Sequence, residues 1–183
     1  MIKIVTDSAA DFELWELEEK NIAAVPLSVV FGETEYKENI DITKERFFEL
    51  LKTEKEMPRT SQPSPQDYID LIEEARSNDD DIIIITISSG LSGTYQSVVA
   101  TKELVGYDRC YVVDSLSGTG GERMVVEYAV RLRDEGKTAK EIVEKTTALR
   151  ERVVLYTVMD TLEYLHRGGR ISSTVYKIGS IAH

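Results

Sequence analysis

Hydrophobic positions fall into two recurring patterns along the chain. One β-branched run, Ile82 to Ile87 (interrupted only by Thr86), has no polar face, and the shorter Ile2 to Val5 and Cys110 to Val113 also read as strands. Runs of this kind suit strands covered on both sides, as in a parallel sheet. Between them, apolar residues recur at helical spacing. Examples are Tyr68, Leu71, Ile72 and Ala75; Tyr95, Val98 and Val99; Met124, Val125, Tyr128 and Leu132; and Ile142, Val143 and Leu149. Alternating strands and helices predict an α/β fold, a three-layer parallel sheet with helices on both faces.

Punctuation residues sharpen the element limits. Thr43 is placed as an N-cap, with Ile42 and Phe47 as a hydrophobic staple, for a helix carrying Phe47, Phe48, Leu50 and Leu51. Ser64 followed by Pro65 opens the next helix. Thr138 and Glu141 form a capping box, and Gly136 stops the helix before it. Asp11 is expected to cap a helix with Phe12, Trp15, Leu14 and Leu17 on its apolar side. Pro26 makes Ala23 to Phe31 an edge or irregular strand, turned by Gly32-Glu33 into a hairpin with Thr34 to Lys37. Thr53 to Pro65 reads as a loop, and Val153 to Val158 as a last strand. Thr161 opens a short helix with Leu162 and Leu165 inward, ending at Gly168-Gly169. Arg170 to His183 shows no clear element.

Three predicted strands end in similar polar turns: Thr6-Asp7-Ser8, Ser88-Ser89-Gly90-Leu91-Ser92-Gly93-Thr94, and Asp114-Ser115. Parallel strands bring such turns to one sheet edge, where ligands of open α/β folds sit. The central turn offers hydroxyls, two glycines and helix-start N–H groups, an arrangement suited to an anionic group. Its hydroxyls serve equally as plain helix caps, and both readings stand at this level. Candidate ligand-binding residues are therefore Ser92 and Gly93 of the central turn, Asp7, Ser8 and Ser115 of the others, and Arg170 after the glycine pair as an anion partner; Thr60 and Ser61, before the Ser64 helix, enter only through the motif resemblance.

Composition narrows the partners. In 183 residues, 22 Lys and Arg stand against 33 Asp and Glu, a net charge of −11. That balance argues against nucleic acid as the main partner. The lone Cys110 excludes an internal disulfide framework and fits a reducing cytosol. No signal-peptide core opens the chain and no run is long enough to span a bilayer, so a cytoplasmic protein without membrane insertion is expected.

Catalytic patterns are incomplete. Gly90-Leu91-Ser92-Gly93-Thr94 departs from the nucleophile elbow at its last position, and only His166 and His183 exist as bases. There is no Walker loop. Gly118-Thr119-Gly120-Gly121 has Arg123 where a dinucleotide fingerprint needs glycine. One Cys and two His make no zinc pattern. Asp7 and Asp114 could hold a metal or could bind backbone N–H groups of their own turns. The residues describe binding better than turnover, so no catalytic residue, metal or cofactor is expected. An enzyme acting on an anionic small molecule, with Ser92 or Asp7 reactive, is the alternative.

Five motifs in order resemble the DegV family: Thr6-Asp7-Ser8, Thr60-Ser61-Gln62-Pro63-Ser64, Ser88 to Tyr95, Asp114-Ser115, and Thr161-Leu162-Glu163-Tyr164-Leu165 with Gly168-Gly169-Arg170. The resemblance spans essentially the whole chain. It implies a two-domain protein that holds one long-chain fatty acid, such as palmitate, between its domains. Thr60 and Ser92 take the carboxylate contacts by motif position. Some members present the fatty acid to a separate fatty acid kinase subunit for phospholipid synthesis, and Arg170 matches the arginine tied to that partner. Family members continue well past the Gly-Gly-Arg motif, and a family histidine that helps hold the carboxylate lies beyond it; its role does not transfer to His166 or His183. The resemblance thus implies an α/β ligand-binding domain over residues 1–150 and the start of a second, truncated α+β domain over 151–183. The apolar tail residues Leu162, Leu165, Ile171, Val175, Tyr176, Ile178 and Ile181 are expected to pack on the first domain or to drive self-association.

Overall fold

The computed structural model describes residues 1–54 and 56–182, with side chains through Ser180. His183 and the Ile181 side chain lie outside the described residues. In chain order the elements are β1 (Ile2–Asp7), α1 (Leu14–Lys20), β2 (Ile22–Val25), β3 (Ser28–Phe31), β4 (Thr34–Lys37), α2 (Lys44–Thr53), β5 (Arg59–Ser61), α3 (Pro65–Ser77), β6 (Asp81–Thr86), α4 (Thr94–Val105), β7 (Cys110–Asp114), α5 (Thr119–Asp134), α6 (Ala139–Arg150), α7 (Glu163–Arg167) and α8 (Ser173–Ala182).

The central sheet is parallel, in the order β2-β1-β6-β7. Its strands show why an unbroken isoleucine run belongs here. Ile83 and Ile85 point into a core shared with Val125, Val126 and Ala129 of α5 and Ile142 of α6. Ile82 and Ile84 point the other way, onto Tyr68 and Ile72 of α3 and Val98 of α4. Two apolar faces need apolar residues at every step, and the expected three layers follow. The chain leaves β1 toward β2 on one side and β6 toward β7 on the other. The carboxyl edge between β1 and β6 is therefore the topological switch point, where the crevice of such a sheet opens.

Pro26 divides Ala23 to Phe31, expected as one edge or irregular strand, into two strands of different sheets, and β2 ends before it. After it β3 starts a second, antiparallel sheet, β4-β3-β5, with its own small core of Val29, Phe31, Ile42 and Leu50. The Thr43 cap forms, its hydroxyl accepting from Arg46 N at 3.2 Å, and Ser64 accepts from Gln66 N at 3.2 Å. The Thr138–Glu141 capping box is also present.

Four local expectations need correction. Arg59–Ser61, expected within a loop, is strand β5, because β3 supplies a pairing edge far away in sequence. Helix α1 is capped by Glu13 with Glu16 at its third position; Asp11 instead closes a 3-10 turn at φ 56°. Trp15 consequently lies 64% exposed, while Phe12 and Leu17 face the core. Val153 to Val158 is not a strand: Val153 packs on the core, but among the described residues no strand pairs with the segment and Val158 is 99% exposed. The segment expected to lack an element forms α8, whose first turn is tied by Ser172 Oγ accepting from Val175 N at 3.2 Å.

Candidate functional site

A cavity of about 400 Å³ opens at the carboxyl end of β6. Its walls come from three places: Thr60 and Gln62 at the end of the small sheet, Ser89 to Gly93 and Gln96 around the start of α4, and Gly168 to Arg170 after α7. Thr60 and Ser92, far apart in sequence, thus face one space. Among the lining residues only Leu91 carries an apolar side chain, so the cavity matches a polar head group.

The β6–α4 loop is tightly built. Leu91 N and Ser92 N both donate to Ser88 O, at 2.9 and 3.1 Å, and Gly90 N donates to Ser88 Oγ at 3.2 Å. Asp114 reaches across from β7, accepting from Ser89 N at 3.2 Å and Leu116 N at 2.9 Å. Gly93 is needed for close approach: a Cβ there would lie 2.7 Å from Gln62 Oε1.

Ser92 serves both as a cap and as a wall of the cavity. Its hydroxyl accepts from Thr94 N at 3.3 Å and lies 2.9 Å from Thr94 Oγ1. Thr94 is fully buried, and Ser92 is its hydroxyl's partner. Either hydroxyl can be the donor of that pair; in the arrangement where Thr94 Oγ1 donates, the Ser92 proton is free for another acceptor. The remaining positive charge is Arg170. Its guanidinium donates to Gly168 O at 2.6 Å, Leu91 O at 3.3 Å and Thr60 Oγ1 at 3.5 Å. Among the described residues no carboxylate pairs with it. A guanidinium without a carboxylate partner, at the wall of a hydroxyl-lined cavity, has the charge and donors suited to an anion.

The structure separates the other candidate residues from this cavity. Ser61 is exposed on β5 and does not line it. Ser8 Oγ accepts from Leu27 N at 2.9 Å and donates to Glu38 Oε2 at 2.6 Å. Ser115 is fully buried and bonds within its turn, to Ser117 O at 3.0 Å and from Ser117 N at 3.2 Å. Asp7 accepts from Ala9 N at 3.1 Å and Ile87 N at 2.8 Å. Asp7 and Asp114 both bind backbone N–H groups, and no cluster of metal-ligating residues occurs among the described residues. Gln62, Ser89, Leu91 and Gln96 also line the cavity; the first three lie within the Thr60 to Ser64 and Ser88 to Thr94 motifs, while nothing local in the sequence marks Gln96.

Among the described residues, no His, Lys, Asp or Glu lines the cavity beside Ser92. His166 is occupied elsewhere, stacked on Tyr176 at 4.5 Å and bonded to Ser173 Oγ at 3.0 Å. No helix among the described residues is long and apolar enough to cross a membrane.

Fold and site together define an α/β protein with a polar cavity at the carboxyl edge of a parallel sheet. Residues 1–183 match the family described as uncharacterised protein, DegV family, and the chain belongs to that family. A DegV domain-containing protein of Caldanaerobacter subterraneus subsp. tengcongensis is 39% identical over 180 residues, covering 98% of this chain and 64% of the relative. Among solved structures, DegV of Bacillus subtilis, a fatty acid binding protein, superposes with a TM-score of 0.84 at 32% identity, covering 97% of this chain and 64% of that one. A stearic acid-binding protein of Eubacterium ventriosum gives a TM-score of 0.74 at 33% identity, over 81% of this chain and 53% of that one. The chain thus spans slightly less than two thirds of these relatives' length.

Proposed function

We propose that this protein binds a long-chain fatty acid by its carboxylate, with the head group in the cavity between Thr60, Ser92 and Arg170. The observation that carries the reading is the Arg170 guanidinium, without a carboxylate partner among the described residues, at the wall shared by both hydroxyls. Three directed donors satisfy a carboxylate without a dedicated buried counter-ion. The stearic acid named for the Eubacterium structure, and the fatty acid binding named for the Bacillus one, support the ligand class. The alkyl chain supplies most of the affinity, at roughly 0.8 kcal/mol per buried methylene. It needs apolar walls that the polar cavity lacks. Residues 151–183, as the beginning of a second α+β domain, offer Leu155, Met159, Val175 and Ile178 as exposed apolar surface toward that end.

In this reading the protein is a cytoplasmic carrier, not an enzyme, and it presents the bound fatty acid to a fatty acid kinase for phospholipid metabolism. Arg170 then has two tasks, holding the anion and marking the loaded site for the kinase. Mass spectrometry of lipid extracted from purified protein tests the ligand class. Recovery of long-chain fatty acid at near-stoichiometric ratio is expected; a bound nucleotide or sugar phosphate in its place overturns the reading.

A further inference from the structure

The switch point between β1 and β6 is not open. Two acids fill it. Asp7, at the end of β1, is 1% exposed, and Glu122, in the first turn of α5, is 0% exposed. Among the described residues neither meets a cation. Asp7 Oδ2 accepts from Ile87 N at 2.8 Å and Oδ1 from Ala9 N at 3.1 Å, so Asp7 is supplied with donors for its charged form. Glu122 is not. Its Oε1 accepts only the Thr6 hydroxyl, at 3.1 Å, and its Oε2 is buried with no hydrogen-bonding partner. The two side chains lie within hydrogen-bonding reach of each other, with Glu122 held on the hydroxyl of Thr6 next to Asp7, and two carboxylates so buried cannot both ionise without a counter-charge. A proton on Glu122 makes it a donor toward Asp7 and removes the orphaned oxygen.

We propose that Asp7 and Glu122 hold one proton between them, and that this proton pins the end of β6 from which the cavity loop departs. The link to the loop is the Ile87 N–H on Asp7, one residue before Ser88.

The surroundings favour retaining the proton. Tyr68 of α3, Glu38 after β4 and Asp11 after the 3-10 turn act on the pair, and none is cationic; Asp67, beside Tyr68, has Lys37 at 3.8 Å. Lys44 and Arg123 act on Asp11, and are bonded to Glu13 and to Glu16 and Glu127. Burial first, and then the charge of Asp7, hold Glu122 well above the ordinary carboxylate range. Burial also pushes Asp7 up to about 6, against the pull of its two N–H donors and of Glu122. Both groups are raised on folding. Their contribution to stability is therefore full below about pH 4, where the unfolded carboxyls are protonated too, and is lost as pH rises through about 6 and beyond. The steps belong to the pair rather than to either residue.

The test compares the wild type with Glu122→Gln, which keeps the shape and a donor for Asp7 but cannot ionise. Between pH 5 and 8.5 the wild-type melting temperature should fall more than that of the variant, by roughly 5 °C. Parallel profiles overturn the proposal. At pH 7 the wild type should show the infrared C=O band of a buried protonated carboxyl, lost in the variant; its absence from the wild type is equally fatal. Amide exchange at Ile87, corrected for intrinsic base catalysis, reads the loop: protection should drop at pH 8.5 in the wild type only. Equal protection in both proteins removes the link to the loop. Should Glu122→Gln fail to fold, Asp7→Asn carries the same comparisons. None of these readouts requires a ligand, so their outcome is independent of the fatty acid reading.

Discussion

Replacing Ser92 by Ala separates a ligand contact from a helix cap. In the folded protein the Ser92 hydroxyl takes the Thr94 N–H at 3.3 Å and faces Thr94 Oγ1 at 2.9 Å. Alanine removes both. Loss of the capping bond costs about 0.5–2 kcal/mol, and the Thr94 hydroxyl, fully buried, is left without a partner at about 1–3 kcal/mol. The two costs overlap because both concern the same turn. A net loss of about 1–3 kcal/mol lowers the melting temperature by roughly 3–10 °C in a chain of this size. The binding effect is separate. A hydrogen bond to a carboxylate is worth about 1.5–3 kcal/mol, so palmitate affinity should fall roughly 10- to 150-fold. Thr94→Val is the companion: it disturbs the same turn but leaves Ser92 free to donate. It should lower the melting temperature similarly while holding affinity within roughly threefold. Calorimetric titration of both variants with palmitate, alongside thermal melts, checks the pair. If Ser92→Ala loses stability but binds like the wild type, Ser92 is a cap and nothing more, and the carboxylate site is elsewhere.

Further variants probe the rest of the cavity and the frame behind it. Arg170→Gln removes the unpaired cation and should weaken palmitate binding roughly 5- to 30-fold at low salt, with a smaller deficit at high salt; a salt-independent deficit would point away from charge pairing. Gly93→Ala places a Cβ 2.7 Å from Gln62 Oε1, and should move that flexible side chain, weaken binding and change the melting temperature by under about 3 °C. Ile84→Ala, at a fully buried position between sheet and helix layer, should cost about 2–5 kcal/mol in chemical denaturation. Exposed Val175 and Ile178 on α8 should drive self-association, read by sedimentation as a weight-average mass that rises with concentration and falls in the Val175→Ser, Ile178→Ser double variant.

Local pattern carried far in this chain because the parallel sheet imposes an unusual demand. Strands covered on both faces need continuous apolar runs, and Ile82 to Ile85 has no other economical use. Caps are similarly local: Thr43, Ser64 and Thr138 each satisfy an N–H two or three residues away, so sequence spacing is sufficient to find them. The turn motifs were visible too, and so was the family, since five motifs in order are far more specific than any one.

What the sequence by itself determined, then, was the layered α/β class, its helix starts and the polar turns at one sheet edge. Which turns make a site was decided only by tertiary structure. Thr60 reaches Ser92 because β3 gives Arg59–Ser61 a strand to pair with, and nothing within that charged, proline-containing stretch announces the pairing. Arg170 joins them through a loop and a short helix whose position depends on contacts with residues some eighty positions earlier. Asp7, Ser8 and Ser115 carry side chains as suitable as those of Thr60 and Ser92, yet their polar atoms are turned to backbone groups or buried neighbours. A hydroxyl or carboxylate is spent on whichever partner lies within about 3 Å. That distance is set by how distant segments pack, and one-dimensional spacing does not contain it.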